Sequence, residues 1–387
     1  MNIYYFSGIR LPSHSPLSVH TMKMAQAFAK AGHDVSVFAK SAWNARAEDI
    51  FKIYDVDDSI NLELSTHTYF PLLLQARRLR LLRGEGKTHV QHPDLIYGFD
   101  LLALAFHAST ARSIIFEAFD LPNSSANKIA FMKLLKNGNL KGIVVHSDTL
   151  KQELLQHYPE LTFEEIFVAH DGADLIRSIQ DNARSTGTLR GKHGFNVGYA
   201  GSLTPGKGLD LIARVAKIRP DYGFHILGGE KSRIELLQQR NKCKNIYFYG
   251  HRDHGDIPAY LKSFDVCVAP YQHKALVRTS QNTSRWISPM KIFEYMAAKR
   301  PMVCSDLPGI NNILRHEHDA MLLPPFDEEK WAQALDKLHS DPTFAETLSD
   351  NAFASLSGKY TWDKRMHAIL EFSSLENVPD SVLSARR

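Results

Sequence analysis

Cysteine is scarce in this chain of 387 residues. Its three cysteines, Cys243, Cys267 and Cys304, show no metal-binding spacing, and their odd number disfavours a disulfide framework. No apolar run reaches the roughly 18 residues of a membrane-spanning helix. There are 19 histidines but no H-E-x-x-H pattern, which argues against zinc. No G-x-G-x-x-G opens a strand–helix unit, which argues against an NAD-dependent enzyme. The N-terminal MNIYYFSGIRLP lacks a signal-peptide pattern, because its apolar stretch is short and leads into a turn. The expectation is a reducing, cytoplasmic location. A net charge of +4 is too mild to imply nucleic acid, and no aromatic interleaving accompanies the basic stretches.

What is present is an ordinary globular composition, 44% hydrophobic, 23% charged and 10% aromatic. The length predicts two domains. A strand at NIYYFSG leads into a turn-rich loop, Gly8–Ser18, then a helix from about Val19 to Ala31 closed by Gly32, then a strand at Val35–Ala39. Further strands are expected at Asp94–Tyr97, Ser113–Glu117, Gly142–His146 and Glu165–Ala169. The pattern restarts near Gly194. Strands are expected at Asn196–Ala200, Gly223–Leu227, Ile246–Tyr249, Val266–Ala269 and Met302–Ser305, with helices at Leu209–Ile218, Arg233–Asn241 and Ile257–Ser263. Strand alternating with helix implies an α/β protein with two Rossmann-like, doubly wound domains. Their expected bounds are 1–175 and 176–361, with a C-terminal helix, about 362–387, packing back on the first.

One stretch is the most informative, Trp286–Pro308, WISPMKIFEYMAAKRPMVCSDLP. Ser288 and Pro289 read as the N-cap and first residue of a helix that ends near Arg300–Pro301. Lys291 in its first turn opposes the helix dipole, at a cost of up to about 1 kcal/mol. An anion held jointly by free backbone N–H groups and the ammonium would explain that placement. Glu294, on a face with Met290, Phe293, Ala297 and Ala298, needs hydroxyl or cationic partners. A diphosphate beside a sugar diol suits both residues. The plainer alternative is an amphipathic helix with a snorkelling lysine and a surface glutamate.

The segment GYAGSLTPGKG, Gly198–Gly208, nearly matches the phosphate loop G-x-x-x-x-G-K-[ST], but Gly208 replaces the hydroxyl that would hold Mg²⁺. Its glycines still let backbone approach a ligand, and Lys207 projects where a helix begins; a simple strand–helix turn is the alternative. Ligands of open α/β sheets bind beyond the carboxyl ends of the strands. Two cations there, Lys207 and Lys291, can neutralise a leaving pyrophosphate without a metal.

These motifs resemble the GT-B glycosyltransferases of the large retaining family numbered four. GYAGSLTPGKGLDLI is similar to the family's G-R-L-x-x-x-K-G-x-x-x-L, and SPMKIFEYMAAKRPMVCSDLPG to E-x-x-x-x-x-x-x-E-A-M-A-x-G-x-P-V. His170–Asp174, HDGAD, resembles N-G-V-D, and SVHTMKMAQAFAKAGHDVSVF resembles the loop, helix and strand ending in G-H-x-V. The resemblance implies transfer of a sugar, with retention, from a nucleotide diphosphate sugar of UDP or GDP type to a hydroxyl. It implies no metal and no other cofactor, and a role in cell-surface polysaccharide or glycolipid synthesis with a sugar or lipid-linked acceptor. The implied donor-binding residues are Gly201, Ser202, Lys207, Arg252, Ser288, Pro289, Met290, Lys291 and Glu294. Lys207 and Lys291 would act on the diphosphate and Glu294 on the ribose, so these three carry the reaction. On the acceptor side stand His14, Ser18 and His20, on or just after the first loop, with Glu117 and Asp120 of a motif resembling E-x-H-D. The chain departs from the family at Ser202, where an arginine is usual, at Trp286, where the first glutamate falls, and at Phe119, where a histidine is common.

In Tyr69–Lys87, arginines 77, 78, 80 and 83 alternate with leucines. A basic amphipathic helix carrying Arg77, Arg78, Arg80 and Arg83 suits the inner, anionic face of a membrane, each cation contributing roughly 1 kcal/mol near the surface. A core-facing helix with a solvated basic face is the alternative. Two other functions fit the same motifs, a GT-B nucleotide-sugar epimerase and a non-catalytic nucleotide-sugar-binding relative.

Overall fold

The structure is a computed structural model that describes residues 1–42, 45–65, 93–176, 188–273 and 289–375. It divides into two compact units, one running from Met1 to His170 and resumed at Trp362, the other spanning Asp171–Thr361.

The first unit is built on β1 (Asn2–Leu11), α1 (Pro16–Lys30), β2 (Asp34–Ser41), α2 (Ala47–Tyr54), β3 (Asn61–Ser65), β4 (Leu95–Gly98), α3 (Leu101–His107), β5 (Ser113–Ala118), α4 (Ser125–Leu135), β6 (Leu140–Val145), α5 (Asp148–His157) and β7 (Ile166–Val168). Its sheet has the order β3-β2-β1-β4-β5-β6-β7. All pairings are parallel. The order reverses between β1 and β4, which opens a crevice at the carboxyl ends of those strands.

The second unit repeats the plan with β8 (Asn196–Ala200), α6 (Leu209–Ile218), β9 (Gly223–Leu227), α7 (Lys231–Arg240), β10 (Ile246–Gly250), α8 (Ile257–Ser263), β11 (Val266–Ala269), α9 (Met290–Ala297), β12 (Met302–Ser305), α10 (Pro308–Asn311), β13 (Met321–Leu323), α11 (Glu328–Ser340) and α12 (Pro342–Lys359). The order is β10-β9-β8-β11-β12-β13, again parallel, with its reversal between β8 and β11. Every residue of β9, β11 and β12 is buried, as helices on both faces of a parallel sheet require. Along β11 the side chains alternate between two cores. Cys267 and Ala269 join Phe264, Phe293 and Tyr295; Val266 and Val268 join Phe224, Trp331 and Leu348. The last helix, α13 (Trp362–Phe372), belongs to the first unit and packs against α1.

Two local expectations are corrected. β1 runs on to Leu11, with a register shift between Phe6 and Arg10 where Gly8 takes a positive φ of 62°. α1 starts at Pro16 and not near Val19, because Ser15 caps it by accepting the Leu17 N–H and Pro16 fits the first helical position. The expected loop is therefore shorter, and Ser18 lies on the helix that was expected to hold His20. The basic stretch with Arg77, Arg78, Arg80 and Arg83 lies outside the described residues. Among the described residues, no helix is long and apolar enough to cross a membrane and no group of three His, Cys, Asp or Glu could hold a metal.

Candidate functional site

At the reversal point of the second sheet, two loops are pressed together by glycine. Gly201 follows β8 with φ +145°, and its N–H donates to the Leu227 carbonyl at 3.0 Å. A Cβ at Gly201 would lie 2.7 Å from Lys291 Nζ, and one at Gly208 (φ +78°) would lie 1.8 Å from the Pro270 carbonyl oxygen. Only glycine permits either approach. The Gln272 N–H donates to the Gly206 carbonyl at 2.9 Å, so the loop after β11 is tied to the loop that carries Lys207.

Tyr295 fixes α9 over the same point. Its hydroxyl accepts from the Ala200 N–H (3.0 Å) and donates to the Val268 carbonyl (3.3 Å), one contact on each strand flanking the reversal. The helix begins at Met290 with Pro289 in the cap position, and it ends at Ala297, earlier than expected, as Lys299 adopts a left-handed backbone (φ 51°). Ser288, expected as its cap, lies outside the described residues, as does Trp286. Pro289 is buried and Met290 partly exposed.

Lys291 is thereby placed at the base of the glycine loop. It is 8% exposed, and its Nζ has no hydrogen-bond partner among the described residues. The ammonium lies 3.7 Å from the centre of the Tyr199 ring and 5.0 Å from that of Tyr271. Lys207 Nζ lies 4.6 Å from the same Tyr271 ring. Burial makes both lysines hold a proton less firmly than an ordinary lysine. Burial lowers Lys291 well below the ordinary lysine range, Lys207 lowers it further, and Glu294 and Cys304 oppose. Desolvation of the charged end lowers Lys207 to about 8. Among the described residues neither ammonium at the glycine loop is in an ion pair with a carboxylate, and a bound anion would supply one.

Glu294, one turn along α9, is partly exposed, and its Oε1 lies 3.5 Å from His254 Nε2. Arg252 is turned to Tyr260, whose hydroxyl accepts from Nε at 3.3 Å, and its Nη1 donates to the His251 carbonyl at 3.0 Å. Ser202 is exposed, its hydroxyl 3.3 Å from that of Thr204. The structure thus brings Gly201, Lys207 and Lys291 together and aims Arg252 at Tyr260. Sequence reasoning did not single out Tyr199, Tyr271 or His254. The tyrosines sit at or just past strand ends, where aromatic residues read as core.

The first unit requires a correction. Glu117 and His20 are each 1% exposed, inside the unit rather than at its surface. Glu117 Oε1 accepts from Arg365 Nη2 (2.5 Å), and Oε2 accepts from the Tyr97 hydroxyl (2.6 Å) and lies 3.0 Å from His20 Nε2. Burial pushes the carboxyl pKa up, but Arg365 and His20 overcome it and hold the group at about 2. Arg365 also donates to the His170 (2.9 Å) and Ala169 (3.2 Å) carbonyls. The cluster anchors α13, and its carboxylate oxygens are already engaged. Ser18 is likewise internal, its hydroxyl bonding the Ser13 (2.9 Å) and Ser15 (2.6 Å) carbonyls at the start of α1. His14 is exposed. Asp120 is partly exposed, takes the Leu121 N–H at 2.8 Å, and has its pKa raised by burial. Phe119 stacks on His146 with centroids 5.4 Å apart.

Comparison with known proteins matches residues 17–177 to the model described as Glycosyltransferase Family 4, and residues 194–341 to that described as Glycosyl transferases group 1. A putative teichuronic acid biosynthesis glycosyltransferase, TuaH of Bacillus subtilis (strain 168), is 24% identical over 191 residues, 47% of this chain and 46% of the relative. An alpha-D-kanosaminyltransferase of Streptomyces kanamyceticus is 24% identical over 205 residues, 50% of each. The matched part spans about half the length of those relatives. Anabaena Alr3699/HepE in complex with UDP-glucose shares the fold, with a TM-score of 0.69 at 17% identity over 97% of this chain and 99% of that one. The fold is GT-B.

Proposed function

We propose that this chain, which belongs to the family 4 glycosyltransferases, moves a sugar from a nucleotide diphosphate donor to a hydroxyl of an acceptor. The observation that carries this reading is Lys291, a buried ammonium with no hydrogen-bond partner among the described residues, sharing the Tyr271 ring with Lys207. A diphosphate supplies the negative charge both lack. Lys207 and Lys291 stabilise the charge that develops on the leaving diphosphate, in a site already desolvated. Glu294, beside His254, accepts the donor ribose hydroxyls. Transfer proceeds with retention by front-face displacement: the acceptor oxygen bonds to the anomeric carbon on the face from which the diphosphate departs. The bond from that carbon to the phosphate oxygen breaks, and the acceptor proton passes to the departing phosphate. No divalent metal takes part.

HepE was solved with UDP-glucose, which favours UDP-sugars as the first donors to try, with GDP-sugars beside them. The teichuronic acid relative favours a polysaccharide intermediate as acceptor, with a lipid-linked one as the second choice.

The test is a transfer assay over a panel of UDP- and GDP-sugars in the presence of EDTA. Proton NMR reads the anomeric configuration of the product. Lys207→Ala and Lys291→Ala each remove a charge-assisted contact worth about 2–3 kcal/mol, a loss of about 30- to 150-fold in kcat/KM. Unchanged turnover in both variants overturns the assignment. Conversion of a donor incubated without acceptor would favour the epimerase.

A further inference from the structure

A buried cation normally sits against a carboxylate. In this site the groups beneath the two ammoniums are ring faces. Tyr199 is fixed by its own hydroxyl, which donates to the Ser202 carbonyl at 2.7 Å and so sets the ring under the glycine loop. Tyr271, 4% exposed, is held where its N–H donates to the Ala269 carbonyl at 3.0 Å. Among the described residues, the titratable neighbours of Lys291 besides the rings are Lys207, Glu294 and Cys304. Glu294 is set beside His254, and burial on β12 keeps the Cys304 thiol neutral.

We propose, on the strength of the donor site described above, that Tyr199 and Tyr271 are positioning residues whose ring faces replace a carboxylate counter-ion beneath Lys291 and Lys207. A carboxylate in that place would engage the ammonium groups and repel an entering diphosphate. A ring face attracts a cation through its quadrupole yet carries no net charge. The lysines are therefore held in place without being neutralised, and a nucleoside diphosphate displaces no ion pair when it binds. Tyr271, touched by both ammoniums, carries the larger share.

The probes are UDP and GDP alone, their affinity measured by calorimetry on the full chain from neutral to alkaline pH. A diphosphate needs the cationic lysines, so affinity falls as pH rises through the Lys207 value of about 8. Tyr271→Leu keeps an apolar side chain but removes the quadrupole that favours the charged form. Affinity at neutral pH should then drop about threefold to thirtyfold, and the alkaline fall should begin at lower pH. Tyr271→Phe keeps the ring face and should retain both the affinity and the pH profile. Should Tyr271→Leu fail to fold, phenylalanines of increasing fluorination at 271 and 199 remove ring charge with little change of shape, and affinity should weaken step by step. A flat series, or a Tyr271→Leu variant with the wild-type affinity and pH profile, overturns the proposal. If UDP or GDP binds the wild type and Lys291→Ala abolishes binding while the fluorinated series stays flat, the donor site stands and the ring role alone falls. If neither nucleotide binds the wild type, both fall together.

Discussion

Replacing Lys291 with methionine should make the unliganded protein more stable while removing its affinity for nucleoside diphosphates. The ammonium is buried, has no hydrogen-bond partner among the described residues, and faces a second cation. An unsatisfied buried polar group costs about 1–3 kcal/mol. Methionine fills the same channel with an apolar stem and leaves a sulfur against the Tyr199 ring, a favourable contact. The expected gain is therefore about 1–3 kcal/mol. For a unit of this size each kcal/mol raises the melting temperature by about 2–4 °C. The pH dependence has a definite sign. The folded pKa of Lys291 lies well below the unfolded value, so the unfolded chain binds more protons between the two. The cost is then full below the folded pKa and fades as pH approaches the unfolded value of about 10.4. The advantage of methionine should be larger at neutral pH than at alkaline pH and should shrink toward pH of about 10. Thermal unfolding at both ends of that range, with and without UDP, reads all three effects, because UDP should raise the wild-type midpoint and leave Lys291→Met unmoved. A variant less stable than wild type at neutral pH, or a difference that ignores pH, would mean that the ammonium is already paired or solvated.

Arg365→Met should cost about 3–5 kcal/mol, because it leaves the buried Glu117 carboxylate without its cation; the double variant with Glu117→Gln should lose much less than the two single losses combined, as urea unfolding will show. Glu117 is held at about 2 in the folded protein against about 4.3 in an unfolded chain. Its contribution of about 3 kcal/mol is present above the unfolded value and is lost as pH falls through the folded one, so acid unfolding of Glu117→Gln should lack that slope. Gly201→Ala places a Cβ 2.7 Å from Lys291 Nζ at φ +145°, which should weaken UDP binding at least tenfold and cost about 1–3 kcal/mol in strain; wild-type affinity by calorimetry would show that the loop does not press on the lysine.

The strands of the second unit were legible because of how they are buried. β8, β9, β11 and β12 run over the residues expected of them, since a strand covered on both faces reads as a short, mostly apolar segment without charged residues. The placement of Lys207 and Lys291 where a loop meets a helix was legible too, because it is a local feature. The cluster around Glu117 was not. Its partners His20, Tyr97 and Arg365 come from α1, β4 and α13, and no local period links residues so far apart in sequence. Motif resemblance put Glu117 at an acceptor surface, whereas the fold carries it inside on β5, every residue of which is buried. Tyr199 and Tyr271 escaped notice for the opposite reason. Each is an apolar residue where a core residue is expected, and only the placement of an ammonium over the ring distinguishes a support from a filler.

The departure at Ser202 acquires a physical meaning from this arrangement. Where relatives of the family carry an arginine, this chain has an exposed hydroxyl beside Thr204, and the positive charge rests on Lys207 and Lys291. A guanidinium stays charged in any protein setting, whereas a desolvated ammonium gives up its proton. Two guanidinium groups confined over the single Tyr271 ring would repel each other at full strength whenever the site was empty. An ammonium can relieve that repulsion by yielding its proton as pH rises, which a guanidinium cannot. Crowding two cations onto one ring without a carboxylate is therefore tolerable for lysine and not for arginine.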